Sequence, residues 1–242
     1  MPRKPANSTE GRLKDQIWKL AESSPAFTPR PERAAKYAEA LAYWPGKFSE
    51  HAFLARRISE LGYRNIIDCG GTGSFKPFLP GIALTLANPA VNGIDASKLP
   101  FESDTFDAAI STHTLEHVAM ESRESFLDEM IRVSRRTVHL IFPFGVENAE
   151  IDDAKTAFVY NSHEHDKTPR VTPQWLRSAL DSKKYRYSLK PLFNRTVHFL
   201  LALMLPIDST KKEDICKWIN ERWDVLNALG DPYDLYVEIL KG

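Results

Sequence analysis

The sequence predicts an α/β fold built on a parallel sheet. From residue 64 onward, short apolar runs alternate with segments of helical periodicity, as in strand–helix–strand units. One apolar run ends at Asp68 and passes into a turn with three glycines, Gly70, Gly71 and Gly73. Open α/β sheets hold nucleotide-like ligands at such turns, which follow the carboxyl end of a buried strand. Glycine fits there because no side chain holds the backbone away from a ligand.

Seven strands are predicted, each an apolar or alternating run bounded by turn residues. They lie near residues 64–68, 82–87, 91–95, 105–111, 137–142, 185–193 and 233–240. The segment between the glycine turn and the second strand, Ser74–Gly81, contains two prolines and is shorter than a usual crossover helix. We therefore expect the first crossover to be a loop or an abbreviated helix.

Three helices are predicted before the first strand, each from an apolar face at helical spacing. They lie near residues 13–20, from Pro31 to Trp44, and from the N-cap Ser49 to Gly62. The second should end before Pro45-Gly46, because the residue before a proline disfavours the helical conformation. In the third helix Leu54, Ile58 and Leu61 form the apolar stripe.

Further helices are predicted between the later strands. One covers residues 123–135, and another begins at Thr172-Pro173, a favourable cap and first-turn pair, and ends at Leu180. The stretch 195–230 is longer than a plain connection, and Thr210 with Glu213 has the spacing of a capping box. We therefore expect 195–230 to be a helical insertion before the last strand.

The composition favours a single domain that does not bind nucleic acid. The chain has 242 residues, and Lys plus Arg equals Asp plus Glu at 32 each, so that no basic excess indicates a nucleic-acid target. Two cysteines are too few for a disulfide framework and favour a reduced compartment. The longest apolar run, Phe199–Pro206, is too short to span a bilayer, and the N-terminus lacks the apolar core of a secretory signal. We expect a cytoplasmic protein with no membrane span.

Four motifs follow the glycine turn in order. They are Gly-Ile-Asp-Ala-Ser-Lys-Leu-Pro-Phe (93–101), Thr-Phe-Asp-Ala-Ala-Ile-Ser (105–111), Leu-Glu-His-Val (115–118) and Val-His-Leu-Ile-Phe-Pro (138–143). With the turn, this order and spacing resembles the class I S-adenosylmethionine (SAM) dependent methyltransferases, in particular the type 11 group. The resemblance covers about residues 60–145.

The resemblance implies a Rossmann-like, doubly wound, seven-strand sheet with an antiparallel last strand. Residues 1–62 would form an N-terminal helical lid on the substrate side. Residues 63–242 would form the SAM-binding methyltransferase domain, with 195–230 as its insertion. SAM would be the cofactor and S-adenosylhomocysteine (SAH) the product.

The resemblance also implies where each part of SAM binds. The backbone of Gly70, Gly71 and Gly73 would receive the amino-acid tail, and Asp68 its ammonium group. At the end of the second strand the family usually has an acid that accepts the ribose hydroxyls, and the matching residue here is Asn88. Asn88-Pro89 is also compatible with a plain turn.

The adenine and methionine contacts follow the later motifs. Asp95 would accept a hydrogen bond from the adenine amino group, Ala96 would supply a backbone N–H, and Leu99 would wall the ring. Asp95 is also compatible with a turn aspartate. The residues expected to border the methionine moiety are Thr112, His113 and Leu115. Asp107 lies at the opposite end of its strand and is expected to be structural.

The resemblance implies an acceptor that is an O, N or C atom of a small molecule, glycan or lipid-like substrate, and the sequence does not distinguish among these. Since the sulfonium is already activated, the protein mainly aligns the acceptor and, where needed, removes a proton. The candidate bases are His117, His163 and His165, with His113 less favoured. The pair His163 and His165 also suits a solvated polar loop.

Three other functions are compatible with parts of the sequence. A non-catalytic SAM- or SAH-binding regulator or scaffold is the main alternative, favoured by the short first crossover and Asn88. An NAD-dependent oxidoreductase is less favoured, because Lys76 replaces the third glycine of G-x-G-x-x-G. The residues His113, Glu116 and His117 match an inverted zinc-protease motif, but a strand directly precedes them, and we expect no metal.

Overall fold

A six-stranded sheet lies at the centre of the structure, a computed structural model that describes residues 37–144, 170–192, Arg195, His198, 209–221 and 231–241. Its strands are β1 (Asn65–Cys69), β2 (Ala83–Ala87), β3 (Phe106–Thr112), β4 (Ser134–Pro143), β5 (Arg186–Leu192) and β6 (Asp234–Leu240). Their order across the sheet is β2-β1-β3-β4-β6-β5.

The direction of the strands confirms the predicted fold class. Strands β1 to β4 are parallel, and β6 runs antiparallel to both of its neighbours, β4 and β5. In this register Asp234, the first residue of β6, lies opposite Pro143, the last residue of β4. The start of β6 therefore shares the sheet edge at which the parallel strands end.

The strand predicted at residues 91–95 is wrong, so that the described residues have six strands where seven were expected. A one-turn helix, α2 (Pro89–Asn92), forms instead, with Asn88 as its N-cap. Gly93 then ends the turn with a left-handed φ of 74°. The side-chain cap and the proline at the first helical position outcompete the weak apolar alternation that had predicted a strand.

Four longer helices accompany the sheet in the described residues. They are α1 (Pro45–Glu60), α3 (Arg123–Val133), α4 (Pro173–Ser182) and α5 (Ser209–Asn220). The first crossover contains only a short 3-10 turn at Lys76–Phe78, which confirms the abbreviated connection. Of the predicted insertion, α5 packs against α1. No described helix is long and apolar enough to cross a membrane.

The predicted starts of the helices have mixed outcomes. Helix α1 begins at Pro45 and not after Ser49, whose hydroxyl donates to the Gly46 carbonyl at 2.9 Å. Proline suits a first helical turn because its φ is already helical and its missing N–H is not needed there. Thr172 is confirmed as the cap of α4, since its hydroxyl accepts the Trp175 N–H. The helix predicted at residues 13–20 and the start of the second lie outside the described residues.

Successive side chains of each strand point to opposite faces of the sheet, and a core cluster lies on each face. On one face α1 contributes Phe48, Leu54 and Ile58 to a core cluster that includes Ile66 and Ile110 of the sheet. On the other face α3 and α4 cover a second cluster. Its members from the helices are Phe126, Leu127, Met130, Ile131, Val133, Leu176 and Leu180.

A buried polar network joins α1 to β4 and β6. The ring of His139 is fully buried, with Nε2 2.8 Å from Thr137 Oγ1 and Nδ1 2.8 Å from the Tyr236 hydroxyl oxygen. Tyr236 donates to Glu238, which accepts two hydrogen bonds from the guanidinium of Arg57 at 3.1 and 2.8 Å. Burial lowers the pKa of His139 to about 4, against the opposing field of Glu238. His139 is therefore neutral at pH 7.

Replacing His139 by Gln is expected to change how stability depends on pH. Between its unfolded pKa of 6.5 and its folded pKa of about 4, only the unfolded chain binds a proton at His139, so that falling pH destabilises the wild type. The wild-type free energy of unfolding, relative to that of His139→Gln, should fall by up to ~1.4 kcal/mol per pH unit in this window. Urea unfolding at intervals from pH 8 to 4.5 measures both. Parallel pH curves for the two proteins would contradict the assignment of a neutral buried ring.

Candidate active site

The glycine turn follows β1 at the carboxyl edge of the sheet. Gly70 and Gly73 have left-handed φ values of 88° and 87°, which residues with a Cβ rarely adopt. A Cβ on Gly70 would overlap the Thr114 side chain, and a Cβ on Gly71 would overlap the Asp68 carboxylate. The turn backbone therefore lies directly against these two side chains, which requires glycine at both positions.

Asp68 is the buried acid beneath this turn. Its side chain is only 3% exposed, and its Oδ1 has no hydrogen-bond partner among the described residues. Burial raises the pKa of Asp68 to about 7, although Lys47 opposes the shift. Leaving a buried acceptor without a partner costs about 1–3 kcal/mol. Asp68 is thus a ready acceptor for a cationic ligand group at the turn.

Asn88 braces the turn from the end of β2. Its Nδ2 donates to the carbonyls of Gly70 and Gly71 at 2.8 and 3.3 Å, and its Oδ1 accepts the Ala90 N–H at 2.9 Å. The plain-turn interpretation accounts for both polar atoms of this amide. Its contact with a ribose stays a prediction.

Asp95 lies in the turn after α2. Its Oδ1 accepts the backbone N–H and the hydroxyl of Ser97 at 2.8 and 2.7 Å, and these bonds lower the pKa of Asp95 below its usual value. Ala96 and Leu99 are both buried in the core cluster beneath α3. The Leu99 N–H donates to the Glu129 carboxylate at 2.7 Å. Asp95 itself is exposed, so that its carboxylate is accessible to a ligand.

The exit of β3 lies beside the glycine turn, since β1 and β3 are paired parallel neighbours. Thr112 ends the strand, and His113 then adopts a left-handed φ of 49°. Its N–H donates to the Ile141 carbonyl at 2.9 Å, and the Thr114 hydroxyl donates to the Thr112 carbonyl at 3.2 Å. Leu115 is buried. The residues predicted at this exit therefore lie at the sheet edge of the turn.

Four side chains from distant segments meet at this edge, and we call them the edge cluster: Glu50, His113, His198 and Asp234. Nε2 of His113 lies 3.0 Å from Glu50 Oε2 and 3.6 Å from Asp234 Oδ1. Nε2 of His198 lies 3.0 Å from Glu50 Oε1 and 3.2 Å from Asp234 Oδ2. Each carboxylate thus bridges both imidazoles.

In the edge cluster the charged partners outweigh the effect of burial on the pKa values of His113 and Glu50. Glu50 and Asp234 are 2% and 0% exposed. Burial alone would lower the pKa of His113, but Glu50, Asp234 and a further carboxylate, Glu116, raise it well above its usual value. Burial alone would raise the pKa of Glu50, but the two histidines bring it well below its usual value.

Sequence analysis identified only His113 of the edge cluster. Glu50 had a visible signal, since it stands one turn before Leu54 on the stripe with Ile58, where a charged residue is out of place on an apolar face. His198 and Asp234 had none. Their neighbours in sequence do not show that the insertion and the start of β6 lie beside α1.

Of the three candidate bases, the structure describes only His117. His117 is exposed and ends a 3-10 turn, Leu115–His117, at the mouth of this edge. His163 and His165 lie outside the described residues. The turn at His113 also breaks the continuous helix that the inverted zinc-protease motif would need, so His113 and His117 do not have that geometry.

Comparison with known proteins supports a methyltransferase fold. Residues 83–142 match the model of the family described as "Methyltransferase domain", type 11. Magnesium protoporphyrin IX methyltransferase from Synechocystis with bound SAH is 11% identical, with a TM-score of 0.51, over 81% of this chain and 84% of its own. A geranyl diphosphate methyltransferase with sinefungin is 12% identical, with a TM-score of 0.50, over 80% and 77%.

A third structure is a SAM-dependent methyltransferase from Archaeoglobus fulgidus, which is 18% identical with a TM-score of 0.49 over 79% of this chain and 94% of its own. No curated protein sequence gives a significant match. At these identities the first two structures establish the fold, and the family match covers β2 to β4.

Replacing Asp68 by Asn is expected to stabilise the ligand-free chain at pH 8. Folded Asp68 has a pKa of about 7 against 3.8 when unfolded, so that the wild type loses stability as pH rises from 3.8 to 7. Because an amide does not ionise, Asp68→Asn should be more stable by ~1–3 kcal/mol at pH 8 and close to wild type at pH 4. Urea unfolding at both pH values measures the difference.

Asp107→Asn is the matched control. Asp107 accepts the backbone N–H groups of Arg64 and Asn65 at 2.9 and 3.1 Å at the opposite sheet edge, as its predicted structural role requires. Burial would raise the pKa of Asp107, but these bonds bring it below its usual value, so this variant should destabilise the chain at pH 8. Destabilisation by both variants at pH 8 would contradict a costly Asp68 carboxylate.

Proposed function

We propose that this chain is a class I SAM-dependent methyltransferase, since residues 83–142 match the type 11 methyltransferase domain. It would move the sulfonium methyl of SAM to an O, N or C atom of a small molecule, glycan or lipid-like acceptor. The observation that supports this most directly is the buried Asp68 side chain beneath the glycine turn, whose Oδ1 has no hydrogen-bond partner among the described residues. A cationic partner would stabilise the ionised form of Asp68, and the ammonium of SAM is one. We expect the protein to act in the cytoplasm.

The amino-acid tail of SAM would lie along Gly70, Gly71 and Gly73, with its ammonium at Asp68. Backbone N–H groups there would receive the carboxylate of the tail. The binding of a cation would also favour the ionised form of Asp68, whose burial otherwise disfavours it. Asp68 is in this proposal a binding residue and not an acid–base catalyst.

The other end of SAM would reach the turn at Asp95. One oxygen of that carboxylate accepts both Ser97 bonds, and the second can accept from the adenine amino group. Ala96 would add a backbone N–H, and Leu99 an apolar contact. We propose that the ribose lies next to Asn88, because this residue directly follows the carboxyl end of β2. The methionine moiety would then border Thr112, His113 and Leu115.

Methyl transfer itself needs alignment more than acid–base chemistry. The acceptor's electron pair forms the new bond to the methyl carbon as the carbon–sulfur bond breaks, and SAH leaves. Where the acceptor is a hydroxyl or amine, a base must also take its proton. We propose His117 for that role, with His163 and His165 as the other candidates.

A SAM- or SAH-binding protein without catalysis is the second candidate. It is favoured by one observation: the Asn88 amide is used within the turn and carries no charge, so that a strong ribose anchor is missing at this position. Binding would then be weaker than in an enzyme with an acid there. Release of SAH from SAM in the presence of an acceptor extract, measured against heat-treated protein, separates the two candidates.

SAH is expected to stabilise the chain against heat. At 100 times its dissociation constant a ligand adds ~2.7 kcal/mol, which corresponds to a shift of ~5–10 °C in melting temperature for a chain of this size. Parallel scans with SAH, SAM and NAD measure this. A shift with NAD and none with SAH or SAM would overturn the proposed cofactor.

Gly71→Ala should abolish most of that shift, because its Cβ would displace the Asp68 carboxylate from beneath the turn. Gly62→Ala is the control: it lies after α1 with a left-handed φ of 70° and has open space around its Cβ. It should cost ~1 kcal/mol of stability and leave the SAH shift unchanged. Equal SAH shifts in Gly71→Ala and wild type would place the cofactor elsewhere.

A further inference from the structure

We propose that the edge cluster is a binding site for a divalent transition-metal ion of the Zn²⁺ class. Its four residues each offer one ligand atom, and these atoms all lie within 4.8 Å of one another. Two imidazole nitrogens and two carboxylate oxygens form the donor set. Imidazole suits Zn²⁺, Cu²⁺, Fe²⁺ and Ni²⁺ better than Mg²⁺ or Ca²⁺, which prefer oxygen ligands.

The spacing of the donors fits a tetrahedral ion. Zinc lies at about 2.0–2.2 Å from nitrogen and oxygen ligands, so that the edges of its tetrahedron are about 3.3 Å long. His113 Nε2 lies 3.0 and 3.6 Å from one oxygen of Glu50 and of Asp234, and His198 Nε2 lies 3.0 and 3.2 Å from the other oxygen of each. With one ligand atom taken from each residue, all four atoms lie within 4.8 Å of one another, so that the side chains would have to draw together by up to ~1.5 Å to close around an ion.

The contacts of Glu50 also favour an ion over a simple hydrogen-bonded pair. Glu50 Oε1 lies 3.0 Å from His198 Nε2, yet it makes no hydrogen bond among the described residues. The side chain is 2% exposed, so water does not satisfy this oxygen from the bulk. Both ion-pair partners of Glu50 within the described residues are histidines. A divalent ion would neutralise the buried carboxylates without requiring either imidazole to be protonated.

The surroundings of His113 have the second layer that metal sites commonly show. Its other ring nitrogen, Nδ1, lies 3.3 Å from Glu116 Oε1, and Glu116 is itself buried. Histidine ligands usually donate this N–H to a carboxylate, which fixes the ring and the tautomer. The ring of His198 is held by stacking on Tyr233, with ring centroids 4.1 Å apart.

The edge cluster is accessible to an ion from one side, and a bound ion would cross-link four segments of the fold. The His113 side chain is 28% exposed, whereas the other three ligands are almost fully buried. An ion would enter from that side. It would also tie α1 and the insertion to the exit of β3 and the start of β6.

The experiment uses the full chain after chelator treatment and dialysis. Titration with ZnCl₂ in a calorimeter is expected to show one ion per chain, with MgCl₂ as the comparison that gives little heat. Co²⁺ in place of Zn²⁺ should give the visible absorption of a four-coordinate site in the wild type, which tests the geometry without any variant.

Isosteric variants assign the ligands. His113→Gln and Asp234→Asn should lower Zn²⁺ affinity by at least ~100-fold, beyond the ~10–100-fold loss expected of the supporting variant Glu116→Gln. His117→Gln is the matched control, because His117 is outside the edge cluster, and it should bind Zn²⁺ as the wild type does. Circular dichroism identifies any variant that has not folded.

Two results would overturn the site: no Zn²⁺ or Co²⁺ binding by the wild type, or equal loss in His117→Gln and His113→Gln. In the first case the edge cluster is a network of histidine–carboxylate contacts that holds no ion. Thermal scans with SAH on the same samples distinguish a failure of the metal site from a failure of the proposed function. A chain that binds SAH and no metal leaves that function standing, and one that binds Zn²⁺ and no SAH leaves only the metal site.

Discussion

The position of α1 on the sheet is the constraint on which both ends of this structure depend. Apolar contacts alone let a helix slide or rotate on a sheet, whereas ion pairs with a defined direction do not. Glu50 and Arg57 lie two turns apart on α1, and they pair with opposite ends of the sheet face: Glu50 with His113 and His198, and Arg57 with Glu238. These pairs, with the apolar stripe between them, set the register of α1.

That register decides which groups meet at the carboxyl edge of the parallel strands. The glycine turn after β1 and the exit of β3 are neighbours because their strands are, and β6 begins at the same edge because it runs antiparallel. Asp68, His113 and Asp234 therefore lie at the same edge of the sheet by topology alone. Glu50 joins them only because α1 is held in place, which makes the N-terminal helix part of the site.

The sequence predicted what local physics determines. Glycines after a buried strand predicted the turn, and the cap at Thr172 predicted the start of α4. The false strand at residues 91–95 arose because apolar alternation over a few residues is weak, and the Asn88 cap outcompetes it. The edge cluster could not be predicted, since it joins four segments. Only Glu50, a charge on the apolar stripe, indicated a buried polar contact.

Buried carboxylates are paired differently at the two ends of the sheet, and this difference favours ligand binding at one end. At the Glu238 end, the carboxylate is paired with Arg57, which stays charged at any physiological pH. At the carboxyl edge, one oxygen of Asp68 has no hydrogen-bond partner among the described residues, and Glu50 is paired with histidines, which can lose their charge. Because unpaired buried carboxylates are costly, the ligand-free chain gives up stability at this edge that a cationic ligand would restore. Such an arrangement couples folding to ligand occupancy, so that the bound chain is the more stable one.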